Sequence, residues 1–375
     1  MKNEELLITN NCISKDNKRI TLNNKRIVYN NKSTYIGLNE FSNILNFIIK
    51  ARRKYNFYVF PLILELGECV FDDKLTYILL ETLSHYYIKN EKAKIVLNFT
   101  CSHNIFNEGI KNSILKTINP TNSTLSISKK YMLDISKSHY RRIIKKDDSD
   151  PAIVSRIVQD VDNFLKYYSV AEEYIDAVSE VVGELIDNSL DHAETDCLLD
   201  LDVTQNYIKT NDFDGSKYYG VNIVIANFSN ILLGAKLSEK MKSDGLSGRY
   251  NELKKAYKFH ANSFDESYTE TDFFTIASFQ HKISSRNSST GGTGLTRLIK
   301  NLEDKSDAYS CYVITGKKKI NFIKELLSYD ENEWIGFNKS KDFIGNLPDN
   351  NVIENAPFYF PGTAYNLNFV LKREV

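Results

Sequence analysis

Apolar and polar residues alternate along this chain with two distinct periods. Between Ile175 and Ile186 the apolar positions are Ile175, Val178, Val182, Leu185 and Ile186, the three-to-four spacing of a helix that buries one face. Tyr219 to Ala226 (YGVNIVIA) alternates with a period near two and predicts a strand. In the first third, a helix over 39–54 with Asn39 as N-cap precedes a buried strand over 57–66. A helix over 74–89, a strand over 94–99 and a helix over 105–116 come next, the order expected of an α/β layer. Residues 1–35 are polar and basic, with short strand-like pieces at 6–9 and 26–29. Downstream, helices are expected over 232–242 and 250–260, separated by a flexible stretch, Ser243–Gly248.

One polar row interrupts the helix pattern. Glu184, Asn188 and His192 recur every four residues in Glu184-Leu-Ile-Asp-Asn188-Ser-Leu-Asp-His192-Ala193, so a helix would line them along one face. Such a row is ordinarily the solvated side of a surface helix. A carboxylate, an amide and an imidazole in line could equally hold a hydrated Mg²⁺ and a polyphosphate, with the Glu orienting or deprotonating an attacking group. A second element about a hundred residues on favours that chemistry. Gly291-Gly292-Thr293-Gly294-Leu295 leads directly into a helix-like stretch, and glycines entering a helix let backbone N–H groups approach phosphate oxygens.

In this order the two motifs resemble the N box and the glycine-rich lid box of the GHKL ATPase superfamily. The resemblance runs from Pro151 to Val375, and the form Glu-x-x-x-Asn-x-x-x-His-Ala is closest to the anti-sigma-factor and serine-kinase branch. The strand over 219–226 stands where the family has the strand ending in its adenine-binding Asp, and Gly362-Thr363 resembles the family's closing Gly-Thr strand. The resemblance implies an α/β sandwich, a mixed sheet with helices on one face, binding ATP with Mg²⁺. Asn188 would coordinate the metal, Glu184 would activate water or a protein hydroxyl, and His192 would contact phosphate or brace the helix. Gly291, Gly292, Thr293, Gly294 and Leu295 would cradle the phosphates, within an ATP lid over about 232–294. Arg286, and less so Lys282, would neutralise γ-phosphate charge. Asn227 and Thr363 would sit at the base end. Asn227 stands where the family has Asp, and Ser229 and Ile231 occupy its two glycine positions, so base choice could be relaxed or altered.

Residues 36–140 resemble a STAS domain. The likeness rests on Leu62-Ile-Leu-Glu-Leu66, Val70-Phe71-Asp72-Asp73-Lys74, Ala93–Asn98 and the loop 100–103. Asp73 stands where regulatory STAS domains carry a phosphorylatable Ser, and the simpler reading makes Asp72 or Asp73 the cap of the following helix. The basic run Arg141–Lys146 reads as a solvated helix end, and with Asp147–Asp150 it marks a linker over 141–150. Ser149 or Asp150 would cap a helix beginning at Pro151.

Composition narrows the setting. Lys plus Arg equal Asp plus Glu at 48 each, so global charge points to neither nucleic acid nor an acidic membrane. The five cysteines include no Cys-x-x-Cys pair, which fits a reduced, cytoplasmic protein. No apolar stretch reaches membrane-spanning length, and the polar start is not a signal peptide. The resemblance and its departures imply three candidate functions: an ATP-driven switch or slow ATPase in a cytoplasmic regulatory or defence-like system, a serine/threonine kinase acting on a STAS-type partner, or a non-catalytic binding module. The expected partners are a nucleotide and either a protein or a second copy of the chain.

Overall fold

A computed structural model describes residues 1–11, 20–100, 131–136, 139–207, 218–243, 246–284, 294–305 and 311–372. In chain order these form α1 (Leu6–Thr9), β1 (Ile27–Asn30), β2 (Tyr35–Ile36), α2 (Leu38–Lys54), β3 (Leu62–Glu68), β4 (Val70–Phe71), α3 (Lys74–Glu91), β5 (Ile95–Thr100), β6 (Leu133–Ile135) and β7 (His139–Ile144). There follow α4 (Ile153–Lys166), α5 (Glu172–Asp187), β8 (Cys197–Tyr207), β9 (Tyr218–Asn227), α6 (Ala235–Met241), α7 (Arg249–His260), α8 (Glu270–Ala277), α9 (Gly294–Lys305), β10 (Tyr312–Asn321) and β11 (Ile353–Lys372). The fold is mixed α/β, with parallel and antiparallel sheets. Among the described residues no helix is long and apolar enough to cross a membrane.

The N-terminal layer is built on a parallel three-stranded sheet ordered β1-β3-β5, with β2 and β4 pairing alongside. Helix α3 starts at Asp73, whose extended backbone and side-chain Oδ1, accepting from Thr76 N–H at 2.6 Å, make it the N-cap. Most of α3 is buried around its whole circumference, as befits a helix packed on two sides. One core joins it to Leu62, Leu64 and Ile95 of the small sheet and to Val224, Ala226, Ile314 and Ala364 of the large one.

The large sheet has six strands in the order β10-β11-β9-β8-β7-β6. Every neighbouring pair is antiparallel, so the mixed sheet expected from the resemblance is replaced by a wholly antiparallel one. Helices also cover both faces. Cys197, Leu199, Leu201 and Val203 point to a core shared with Ile157 and Val161 of α4, Val178 and Val182 of α5, and Leu298 and Leu302 of α9. The opposite face meets α2 and α3.

Several expected elements shift. The piece over 6–9 is a helical turn, α2 begins after Gly37 instead of Asn39, and β3 begins at Leu62 instead of Phe57. Gly234, at φ +85°, turns the chain so that the helix expected over 232–242 spans only Ala235–Met241. Asp150 Oδ1 accepts from Ala152 N–H at 3.0 Å ahead of α4. The helix expected over 105–116 lies outside the described residues. Residues 141–144, expected in a linker, are instead part of β7, paired with β8 from Ile144↔Cys197 to His139↔Asp202.

Candidate functional site

Helix α5 carries Glu172 and Glu173 in its first turn, where the positive end of the helix dipole favours acids. Its far end passes into a single π-helical turn, Asn188–His192, closed by Ala193 N–H donating to the Asn188 carbonyl at 3.1 Å. Such turns insert one residue into a helix and rotate the residues beyond it. Glu184 and Asn188 therefore keep the four-residue step, and His192 leaves the straight line of the expected row. All three side chains are half-buried. Among the described residues, the Glu184 and Asn188 side chains form no hydrogen bond with the protein.

Strands β9 and β11 bring together Asn227 and Thr363, the residues expected at a base end. Asn227 and Thr363 are partners in the ladder, and Thr363 N–H donates to Asn227 Oδ1 at 3.2 Å. Asn227 Nδ2 donates to Ser189 Oγ at 3.0 Å, and that hydroxyl donates onward to the Leu185 carbonyl at 3.0 Å. The Asn227 side chain is thus buried and joins the π turn to the end of β9 and to Thr363 within β11. Ser229 makes a second stitch: its Oγ donates to the Ala193 carbonyl at 2.8 Å and accepts from Ile231 N–H at 3.0 Å. Cys197 lies in the same region, and burial pushes its thiol up to about 12, with Ser189 only partly opposing it.

Of the residues expected to contact phosphate, Arg286, Gly291, Gly292 and Thr293 lie outside the described residues. Gly294 and Leu295 open α9, and Leu295 packs against the core. Helix α9 lies along α5, with Asn301 Nδ2 3.4 Å from the Ala177 carbonyl and Arg297 3.5 Å from Glu180. Both contacts lie on α5 ahead of Glu184. Lys282 is exposed, at φ +55°.

A polar cluster that the sequence pattern does not announce lies on the other face of the sheet. Asp200 and Asp202 of β8 point beneath α3, where Lys74 Nζ is 2.7 Å from Asp200 Oδ1 and 2.7 Å from Asp202 Oδ2. Arg141 of β7 pairs with both Asp200 and Glu81 of α3. It is fully buried, which corrects the reading of the basic run as a solvated helix end. His139 Nε2 is 3.0 Å from Asp200 Oδ2, and its Nδ1 is 3.6 Å from Asp134. Asn222 Nδ2 donates to Asp202 at 2.8 Å and Asn368 Nδ2 to Asn222 Oδ1 at 2.6 Å, carrying the row across β9 to β11. Burial opposes ionisation of Asp200, but Arg141, His139 and Lys74 outweigh it and hold the carboxyl well below the usual range. The available signal was the Leu-Asp-Leu-Asp alternation over 199–202.

No family model, curated protein or solved structure matches the chain. Among the described residues, no group of three or more His, Cys, Asp or Glu side chains could hold a metal ion.

Proposed function

We propose that the protein is a GHKL-type, Mg²⁺-dependent nucleotide-binding ATPase that works as a nucleotide-driven switch, with a STAS-like layer docked on its sheet. The observation that carries the reading is the pair Glu184 and Asn188, two half-buried side chains without hydrogen bonds to the described protein, at the far end of a helix that packs against α9 and then passes into a π turn. π turns occur often at functional sites. The side chains fit the group they would meet. Asn188 offers a neutral amide oxygen suited to a hard cation, and a Mg²⁺ held by one such side chain would take its other ligands from phosphates and water. Glu184, one turn earlier, would orient or deprotonate the attacking hydroxyl or water. When bound, Mg²⁺ would supply charge neutralisation at the phosphates.

The base end favours a second reading, a binding module without efficient turnover. Both polar atoms of Asn227 are already engaged, by Ser189 and Thr363, so the side chain expected to read the base is held by the protein. A titration with a fluorescent ATP analogue, with GTP as competitor, combined with phosphate release from Asn188→Ala and Glu184→Ala, separates these readings. The switch predicts loss of binding for the first variant and loss of turnover alone for the second. Binding without phosphate release selects the module, phosphate transfer to a protein serine selects the kinase, and no binding to either nucleotide removes the proposal.

A further inference from the structure

We propose that helix α6 is a strut that fixes the π turn and Ser284 relative to each other, with Lys236 and Lys240 as its positioning residues. The role of the site rests on the nucleotide reading above; the strut itself rests on contacts.

Three parts of the candidate site converge on the segment 233–240. At its base, Leu233 N–H donates to Thr315 Oγ1 at 3.1 Å, and that hydroxyl donates to the Gly362 carbonyl at 2.8 Å, next to Thr363. Thr275 Oγ1 donates to the Leu233 carbonyl at 3.2 Å, and Leu237 is buried in the core, so the base of the helix is anchored. Lys236 and Lys240 stand four residues apart and therefore share one side of α6. Lys236 Nζ donates to the Asp191 carbonyl in the π turn at 3.2 Å and pairs with Glu194 just beyond it.

Lys240 Nζ donates to the Ser284 carbonyl at 2.8 Å and to Tyr250 OH at 3.0 Å, with its ammonium 4.7 Å from the centre of the Tyr250 ring. Tyr250 OH donates to the same Ser284 carbonyl at 2.6 Å and accepts from Ser284 N–H at 3.2 Å. Ser284 thus has both backbone polar groups clamped. Surface lysines are usually solvated and interchangeable, but a half-buried ammonium with a carbonyl, a hydroxyl and an aromatic face around it has a defined position. A short helix tied at one end to the sheet and through two lysines to the π turn and Ser284 cannot shift at one contact without straining the others.

Hydrogen exchange on the full chain tests the coupling. Lys240→Met should speed exchange of the Ser284 amide and also that of Ala193, whose N–H closes the π turn more than forty residues back in sequence, by about five-fold or more. Lys240→Arg should restore protection at both. Tyr250→Phe, which removes one hydroxyl, should reproduce the Lys240→Met pattern if that variant folds poorly. Faster exchange confined to Ser284, with Ala193 unchanged in both variants, overturns the strut. If the wild type binds the ATP analogue, Lys240→Met should also weaken its binding about five-fold or more at unchanged melting temperature, and equal affinity overturns the positioning role. A wild type that binds no nucleotide refutes the nucleotide reading, and the exchange result still decides the strut.

Discussion

Lys74 Nζ lies 2.7 Å from Asp202 Oδ2, joining a helix of the N-terminal layer to a strand of the large sheet across 128 positions of sequence. The same ammonium reaches Asp200 at 2.7 Å, and all three side chains are buried. A bonded charge cluster at this depth adds little net attraction over a well-packed apolar contact, but removing one partner leaves an uncompensated charge behind. The docking of α3 is thereby restricted to the one position in which each carboxylate meets its cation.

Lys74→Met should accordingly destabilise the protein by about 3–5 kcal/mol, because Asp202 and part of the Asp200 charge lose their cation. Urea unfolding followed by fluorescence and by circular dichroism measures it. A loss below about 1 kcal/mol would place the cluster among weakly contributing ion pairs.

His139 gives the cluster a pH dependence. It faces Asp134 on β6 and Asp200 on β8, with Asp202 its ladder partner; Arg141 is on its own strand, and Lys74 and Glu81 descend from α3. Burial opposes its charging, but Asp200 and Asp134 outweigh burial and raise its pKa above the ordinary value. A raised base stabilises fully below its unfolded pKa, and the contribution fades as pH rises through the folded value. Melting temperature should therefore fall on the alkaline side of about pH 6.5, and His139→Asn should flatten that limb. Burial lowers the pKa of His85 and His260, so they act in the opposite sense and, together with the depressed Asp200 carboxyl, contribute to loss on the acid side. An unchanged alkaline limb in the variant would remove His139 from the cluster's balance.

The elements with a clear apolar period or a capped apolar run were legible in the sequence. Ile175 to Ile186 announces α5, Tyr219 to Ala226 announces β9, and Asp73 before an apolar stretch announces α3 and its cap. The covering of strand β8 was not legible. Aspartates alternating with Leu199, Leu201 and Val203 describe a half-buried strand whose polar face meets water, whereas here a helix from another layer covers that face and supplies the cations. Arg141 misleads for the same reason: long-range pairing, invisible to local pattern, turns a basic run into a buried strand. Within the site, the spacing of Glu184, Asn188 and His192 was visible, but the π turn that bends the row was not. It depends on Asn227 and Ser229 tying its residues to a strand end.

That tie is open to a direct test. Asn227→Asp replaces the amide that donates to Ser189 with a second oxygen, while the Ser189 hydroxyl is already committed to the Leu185 carbonyl. The substitution should cost about 1–3 kcal/mol, and its effect should shrink in a Ser189→Ala background because the two sites share the contact. Additive losses in the double variant, measured by denaturant unfolding, would show that the contact carries no energy.

Gly362 lies within β11 opposite the end of β9, and its replacement separates crowding from backbone strain. At φ +101° its backbone is left-handed, and a Cβ there would fall 2.4 Å from the Asn227 carbonyl oxygen and 2.7 Å from Asn227 Oδ1. Gly67 provides the comparison, since it is also left-handed at φ +70° but a Cβ added to it would meet nothing within 4 Å. Gly67→Ala should thus cost only the strain of a left-handed alanine, roughly 1–2 kcal/mol. Gly362→Ala adds a backbone collision that cannot be relieved by turning a flexible side chain, because the obstructing atom belongs to the paired strand. It should cost at least about 1–3 kcal/mol more than Gly67→Ala and should raise amide exchange at Thr363, whose N–H bond to Asn227 Oδ1 would be the first to open. Equal unfolding midpoints for the two variants would mean that the backbone around this pair yields freely, and that Asn227 and Thr363 are not held as a fixed pair.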